Sequence, residues 1–415
     1  MTDRRGLVLE PERSLAWVGE SMNFLNEIAN RHPTAVSLAA GRPAREHLGL
    51  GALDPTLQRF VDALRERGGS EESVWQYGPT AGLIQGLIAE SLGHDEHIEV
   101  DPGTVLVTAG AQEGMSLVMT LFERARDVLL VPDPTYVGIT GAAAVAGVSV
   151  SPLPAKELDA AAVHERARAL GDLGLRARAL YLVPDFSNPL GDTMSADRRA
   201  RLIDAACELD LWIIEDSPYR IFAFDQAPPP SLLASTREGR VIHLGTFAKA
   251  LCPGLRIGYL VWPSAPADRW RSLITAKSFM TLNTSPLTQA LAEGALRLRG
   301  VPSLGSAAAE ARSGYRERRD ALLAAMDELL GDLPGVSWEV PGGGFFLTVH
   351  LPFEFGVEDM QRCAEEHEVL VCPMSIFSPT GSWRRAIRLS YSYVPPEALR
   401  EGVRRLSAYL GERCG

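Results

Sequence analysis

The chain has 415 residues, 46% of them hydrophobic and 22% charged, which is enough apolar material for the cores of two or three domains. That composition excludes a disordered, collagen-like or disulfide-stapled chain, and no apolar run approaches the ~18 residues needed to cross a bilayer. A net charge of −11 argues against a duplex-binding surface, which needs a basic patch. The five cysteines are odd in number and contain no C-x-x-C pair, so reduced thiols in a cytosol are expected. The opening MTDRRGLVLEPERS has no apolar core of a secretory signal, and a cytoplasmic location follows as an expectation.

Short apolar runs predict strands at Thr104–Thr108, Val128–Val131, Ala179–Val183, Leu211–Glu215, Val241–Leu244 and Ile257–Trp262. None alternates, so both faces should be buried, as in a parallel sheet covered by helices. Helix-length segments lie between them at Gln112–Arg126, Tyr136–Ala146 and Ser195–Leu209, the last with Ser195 as a plausible N-cap. This alternation predicts an open α/β sheet whose ligands sit outside the carboxyl ends of the strands. After about residue 300 the pattern changes to a long helix at Ala307–Leu330, a strand near Phe345–His350, a helix near Val357–His367 and a strand at Arg385–Ser390. A second, smaller α+β domain is expected there, joined by the N-terminal ~50 residues.

The loops after the predicted strands carry the candidate chemistry. After the first, Thr108-Ala-Gly-Ala-Gln-Glu-Gly114 is small enough for the backbone to approach an anion at a new helix N-terminus, although a plain glycine turn reads equally well. Tyr136, after the second, could stack on a flat ring or pack in the core. Asn188 precedes a proline and is extended, and its amide could donate to a ring hydroxyl or close an Asx turn. Asp216 ends the apolar strand LWIIE, where a carboxylate is costly without a cation or protonated nitrogen; an arginine ion pair is the competing reading. Tyr219 lies three residues on. Only three lysines occur (Lys156, Lys249, Lys277), so amine chemistry has three possible places. Lys249 sits among small apolar residues, where burial would lower its pKa and free the amine as a nucleophile. Thr246 and Arg256 flank it with a hydroxyl and a donor fork suited to phosphate. His94-Asp-Glu-His97 is read as a solvated loop rather than a metal site, and no metal is expected.

Together these motifs resemble the fold-type I, class I/II aminotransferases, which use pyridoxal 5′-phosphate (PLP). The match runs from about Val36 to Ser392. SLAAGRP (37–43), QYGPTAGL (76–83), PDFSNPLGDTMS (184–195) and GGGFF (342–346) are most similar to the 2-aminoadipate/kynurenine aminotransferase branch. The resemblance implies a large domain with a mostly parallel seven-stranded sheet and a smaller α+β domain, divided as an N-terminal segment 1–50, a PLP-binding part 51–300 and a C-terminal part 301–415. It implies that an L-amino acid gives its amino group to a 2-oxo acid by a ping-pong mechanism. A lyase, decarboxylase or oxidase using the same site is the alternative.

By the same resemblance, Lys249 carries the cofactor as an aldimine and moves the substrate proton, and Asp216 pairs with the pyridine nitrogen. Asn188 and Tyr219 bond the ring oxygen, and Tyr136 stacks on the ring. Gly110, Ala111, Gln112, Thr246 and Arg256 hold the phosphate. Tyr77 reaches the phosphate of a partner subunit, which implies a homodimer with shared active sites. Arg388 and Gly41, with Asn188, bind the substrate carboxylate. No nucleic acid or membrane partner is implied. The sequence departs from the family at Ala248, Glu113 and Leu190, and Arg42 and Arg45 at the substrate mouth have no family counterpart.

Overall fold

The structure is a computed structural model that describes residues 7–47, 52–236, 238–300 and 302–414. A helix at Pro11–Arg31 leads into a two-residue strand β1 (Val36–Ser37). Then β2 (Val105–Thr108), β3 (Asp127–Asp133), β4 (Ser149–Pro154), β5 (Arg176–Leu182), β6 (Trp212–Asp216), β7 (Val241–Thr246) and β8 (Gly258–Val261) form one seven-stranded sheet. Its order is β2-β8-β7-β6-β5-β3-β4, and only β8 runs against its neighbours β2 and β7. Residues in β2, β6 and β8 are buried throughout, because helices cover both faces. Asp216 and Thr246 end β6 and β7, so both lie at the carboxyl edge of the sheet.

The predicted strands all form, and β4 is an addition. Its sequence SVSPLP carries two prolines, which weaken a strand reading. They are tolerated because β4 is the outer strand of the sheet, where proline's missing N–H has no ladder partner to lose. The helix expected over Gln112–Arg126 covers Ala111–Met119 and stops early. The Asp127 carboxylate accepts from the Glu123 N–H and closes the intervening turn instead. Ser195 caps the helix Ala196–Glu208 through its hydroxyl. His94 and Glu96 are not in a solvated loop. They end the helix Gln85–Glu96, and Glu96 turns inward to Arg220. No group of metal-binding side chains occurs among the described residues.

Beyond residue 300, β9 (Ser337–Trp338), β10 (Phe346–His350), β12 (Cys372–Pro373) and β13 (Ala386–Ser390) form an antiparallel sheet, while β11 (Val369–Leu370) pairs with β1. Ile28 and Leu38 enter the hydrophobic cluster built by Leu322, Leu347, Leu389, Val403 and their neighbours. The N-terminal segment thus completes the core of the C-terminal part. It also crosses to the large sheet through the paired backbones of Leu9 and Val150.

Candidate active site

The carboxyl edge of the large sheet opens on a cavity of about 710 Å³, closed on its far side by β10, β13 and the loop after β1. Lys249 sits in the turn after β7. The Thr246 hydroxyl accepts from the Ala248 N–H and shapes that turn. The Lys249 amine ends inside the cavity and donates to the Gly41 carbonyl at 3.0 Å. Burial brings its pKa down to about 8, and the neighbouring Arg388 charge adds to the effect.

Asp216 faces the same space and is 4% exposed. Burial pushes its pKa up to about 6, against the Tyr181 hydroxyl, which donates to Oδ2 at 2.6 Å. Its other oxygen, Oδ1, is buried without a partner. A buried carboxylate oxygen in that state is an acceptor waiting for a protonated group. Tyr181 is a functional residue that sequence reasoning missed. It lies within β5, where it reads as core, yet a buried phenol in an aliphatic strand needs a hydrogen-bond partner, and that need was the available signal.

The anion end is built by backbone. Gly110 caps the helix Ala111–Met119 with φ +83°, and the N–H groups of that helix start are free of helical partners. A Cβ on Gly110 would lie 2.5 Å from the Arg256 guanidinium, so the missing side chain lets Arg256 lie over the turn. A Cβ on Gly258 would strike the Ala111 nitrogen at 2.5 Å. Arg256 adopts a left-handed φ of 52°, a strained setting for a non-glycine residue. Ala111, Gln112, Thr246 and Arg256 line the cavity; Gly110 does not line it but packs against Arg256. Tyr136 is half-buried on the wall; Gly138 packs so closely that a Cβ there would lie 2.2 Å from its ring.

At the opposite end, the Arg388 guanidinium is sandwiched between the rings of Phe346 at 4.3 Å and Phe377 at 4.6 Å. It donates to Asn188 Oδ1 and to the Ala39 carbonyl, each at 2.7 Å. Its Nε is buried with no partner, so the fork keeps donors that could meet an anion. Tyr219 is buried between Asn188 and Asp216, and burial pushes its hydroxyl pKa up, so it acts as a neutral donor. Asn188 and Gly41 both line the cavity at this end. Gly41's carbonyl is engaged by Lys249. Tyr77 does not line this cavity and is 82% exposed. Phe346, Phe377 and Ala39 were not legible beforehand, because each meets Arg388 only through the tertiary fold.

The family model for aminotransferases of class I and II matches residues 45–406. The chain is 38% identical to (S)-3,5-dihydroxyphenylglycine transaminase of Amycolatopsis orientalis over 95% of its length and 92% of that protein's. Among solved structures it is similar to Pyrococcus horikoshii kynurenine aminotransferase (TM-score 0.82, 28% identity, 95% of each chain). It is also similar to LysN, an α-aminoadipate aminotransferase of Thermus thermophilus, solved with N-(5′-phosphopyridoxyl)-L-leucine (TM-score 0.77, 32% identity, 95% of this chain and 97% of that one). The lyase and decarboxylase reading is not favoured by these relatives. The residues present fit PLP: an orphan carboxylate oxygen for a ring nitrogen, a buried amine for its aldehyde and a glycine-lined N–H turn under Arg256 for its phosphate. With a cavity that brings together an amine and an arginine fork, and homology along almost its whole length, the chain belongs to the PLP-dependent class I and II aminotransferases, in the kynurenine/2-aminoadipate branch.

Proposed function

We propose that the chain moves the amino group of an L-amino acid to a 2-oxo acid in two half-reactions at this cavity, with Lys249 as the group that holds the cofactor and moves the proton. The observation that carries the reading is the pairing of a buried amine, its pKa near 8, with a carboxylate that has one unpartnered oxygen. PLP supplies, when bound, an electron-withdrawing ring that acidifies the Cα proton of an attached amino acid. Lys249 Nζ is then the base that takes that proton and the acid that returns it, because an amine near pKa 8 exchanges protons readily at neutral pH. Asp216 Oδ1 would hold a proton on the ring nitrogen. Asn188 and Tyr219 would donate to the ring oxygen, and Tyr136 would supply an aromatic wall for the ring.

The backbone of Gly110, Ala111 and Gln112, with Thr246 and Arg256, binds the phosphate. Arg388 binds the substrate α-carboxylate through its free donors, with Gly41 and Asn188 beside it. The relatives named for dihydroxyphenylglycine and kynurenine support a substrate with an aromatic side chain.

We also infer a homodimer with shared sites. Trp75, Tyr77 and Phe279 are 64%, 82% and 87% exposed, and Gly78 lies against Pro286, so the Trp75–Tyr77 segment and the start of the helix Pro286–Leu298 form one face. Tyr77 on that face would reach the phosphate end of the partner's cavity. The division into 1–50, 51–300 and 301–415 is supported by the separate core around Leu322 and Leu389. Among the described residues no helix is long and apolar enough to cross a membrane. Five free cysteines support a reducing, cytoplasmic setting.

The test is a titration of the holoenzyme with a panel of L-amino acids, aromatic ones included. Loss of the bound cofactor's visible absorbance, with release of the matching 2-oxo acid, is expected. If no amino acid bleaches it, the proposal fails.

A further inference from the structure

Behind the phosphate end of the cavity lies a buried ion pair that the reaction does not use. Lys277, on the helix Ala267–Met280, is 0% exposed. Its amine donates to Glu113 Oε2 at 2.9 Å, to the Thr284 hydroxyl at 3.0 Å and to the Thr281 hydroxyl at 3.2 Å, which uses all three ammonium protons. Glu113 is the third residue of the helix Ala111–Met119. Its Oε2 also accepts from the Ala109 N–H at 2.5 Å, and its Oε1 accepts from the Thr281 hydroxyl at 2.6 Å. Thr284 is anchored in turn to the Val107 carbonyl at the end of β2.

The geometry has two consequences. First, Ala109 N–H is pulled inward, away from the cavity, while the Thr108 hydroxyl bonds the Gly110 carbonyl. The turn is fixed on both sides, and the next N–H groups, at Ala111 and Gln112, are left facing outward. Second, a carboxylate stands one turn from the place where a phosphate dianion binds. Alone it would repel that anion across a low-dielectric gap, and alone its burial would be costly. The Lys277 ammonium cancels its charge and leaves only its function as an acceptor.

We propose that Glu113 and Lys277 are positioning residues for the cofactor phosphate: they hold the Thr108–Gln112 turn with its N–H groups outward while keeping the local charge neutral. This rests on the phosphate-site reading above. The step from structure to function is a selective one, since the pair acts on the phosphate end and not on the aldehyde end at Lys249.

The experiment compares PLP with pyridoxal, which lacks the phosphate, in titrations of the full-length protein stripped of cofactor. Wild-type protein should prefer PLP strongly. Lys277→Met should weaken PLP at least about tenfold, since it leaves an unpaired carboxylate behind the turn, and should leave pyridoxal within about twofold. The double variant E113Q/K277M, which has no charge to unpair and keeps an acceptor for Ala109, should recover most of the PLP affinity. A parallel fall for both ligands, or no fall for either, overturns the proposal. If Lys277→Met does not fold, Thr281→Val, which removes one hydroxyl from Glu113, must show the same asymmetry on a smaller scale or the proposal fails. A wild-type protein that binds both ligands equally would instead refute the phosphate-site reading itself, which is a different result.

Discussion

Substitution of Arg388 by glutamine isolates the recognition of the α-carboxylate. In the native site the guanidinium already spends two donors on Asn188 and Ala39, is clamped by two aromatic rings, and keeps a buried Nε without a partner. A fork held this way can give a carboxylate two charge-assisted hydrogen bonds. At about 1.5–3 kcal/mol each, their loss amounts to roughly 3–6 kcal/mol of transition-state stabilisation, or about 10²–10⁴ in kcat/KM. Glutamine can still donate to Asn188, so the wall of the cavity is expected to persist. The assay is the rate at which an amino acid bleaches the bound cofactor, compared with the rate for the amine of the same side chain that lacks the carboxylate. Arg388→Gln should lose the wild-type preference for the amino acid, while cofactor affinity and melting temperature stay near wild type. An undiminished preference, or loss of cofactor in step with activity, would refute the assignment.

Tyr181→Phe removes the donor that opposes the burial of Asp216, so the Asp216 carboxylate should be harder to keep charged. In the cofactor-free protein the Asp216 carboxyl, near 6, should titrate about 1–2 pH units higher in the variant, and an unmoved titration would contradict the role of Tyr181. Capture of PLP by the stripped protein should need the neutral form of Lys249. Its rate should therefore climb about tenfold per pH unit and level off above a pH of about 8, whereas an ordinary lysine would keep climbing toward 10.5. Stopped-flow mixing across that range decides between them. Phe279→Glu places a charge on the most exposed of these aromatic residues and should shift the sedimentation profile from dimer to monomer, with weaker PLP retention as the partner's Tyr77 is lost.

The parts of the site that could be read from sequence are those where residue type and local position together restrict the chemistry. Lys249 stood out because lysine is scarce in this chain, and Asp216 because a carboxylate ending LWIIE has to find a partner. The strands were legible because both faces of the sheet are buried, which leaves continuous apolar runs. What stayed hidden depends on contacts between distant segments. Lys277 and Glu113 lie 164 positions apart, and nothing local distinguishes that lysine from a surface one. Phe346 and Phe377 read as core, and only the pairing of β10 with β13, beside the segment before β13, makes them a clamp for Arg388. The strand β4 was missed because its prolines are compatible with a strand only at an edge, and edge position is a property of the assembled sheet. The inward turn of Glu96 likewise needed Arg220, more than a hundred residues away, to be seen.

The strip of backbone from Leu38 to Arg42 touches both ends of the chemistry. Its carbonyls hold the Arg388 guanidinium at Ala39 and the Lys249 amine at Gly41, and they accept from Ser390 and Ser392 of the C-terminal part at Leu38 and Arg42. A ruler of that kind fixes the span between the guanidinium proposed to grip the substrate and the amine proposed to work on it. The outward side chains of this strip, Arg42 among them, can therefore differ without changing the distance over which every substrate must be measured.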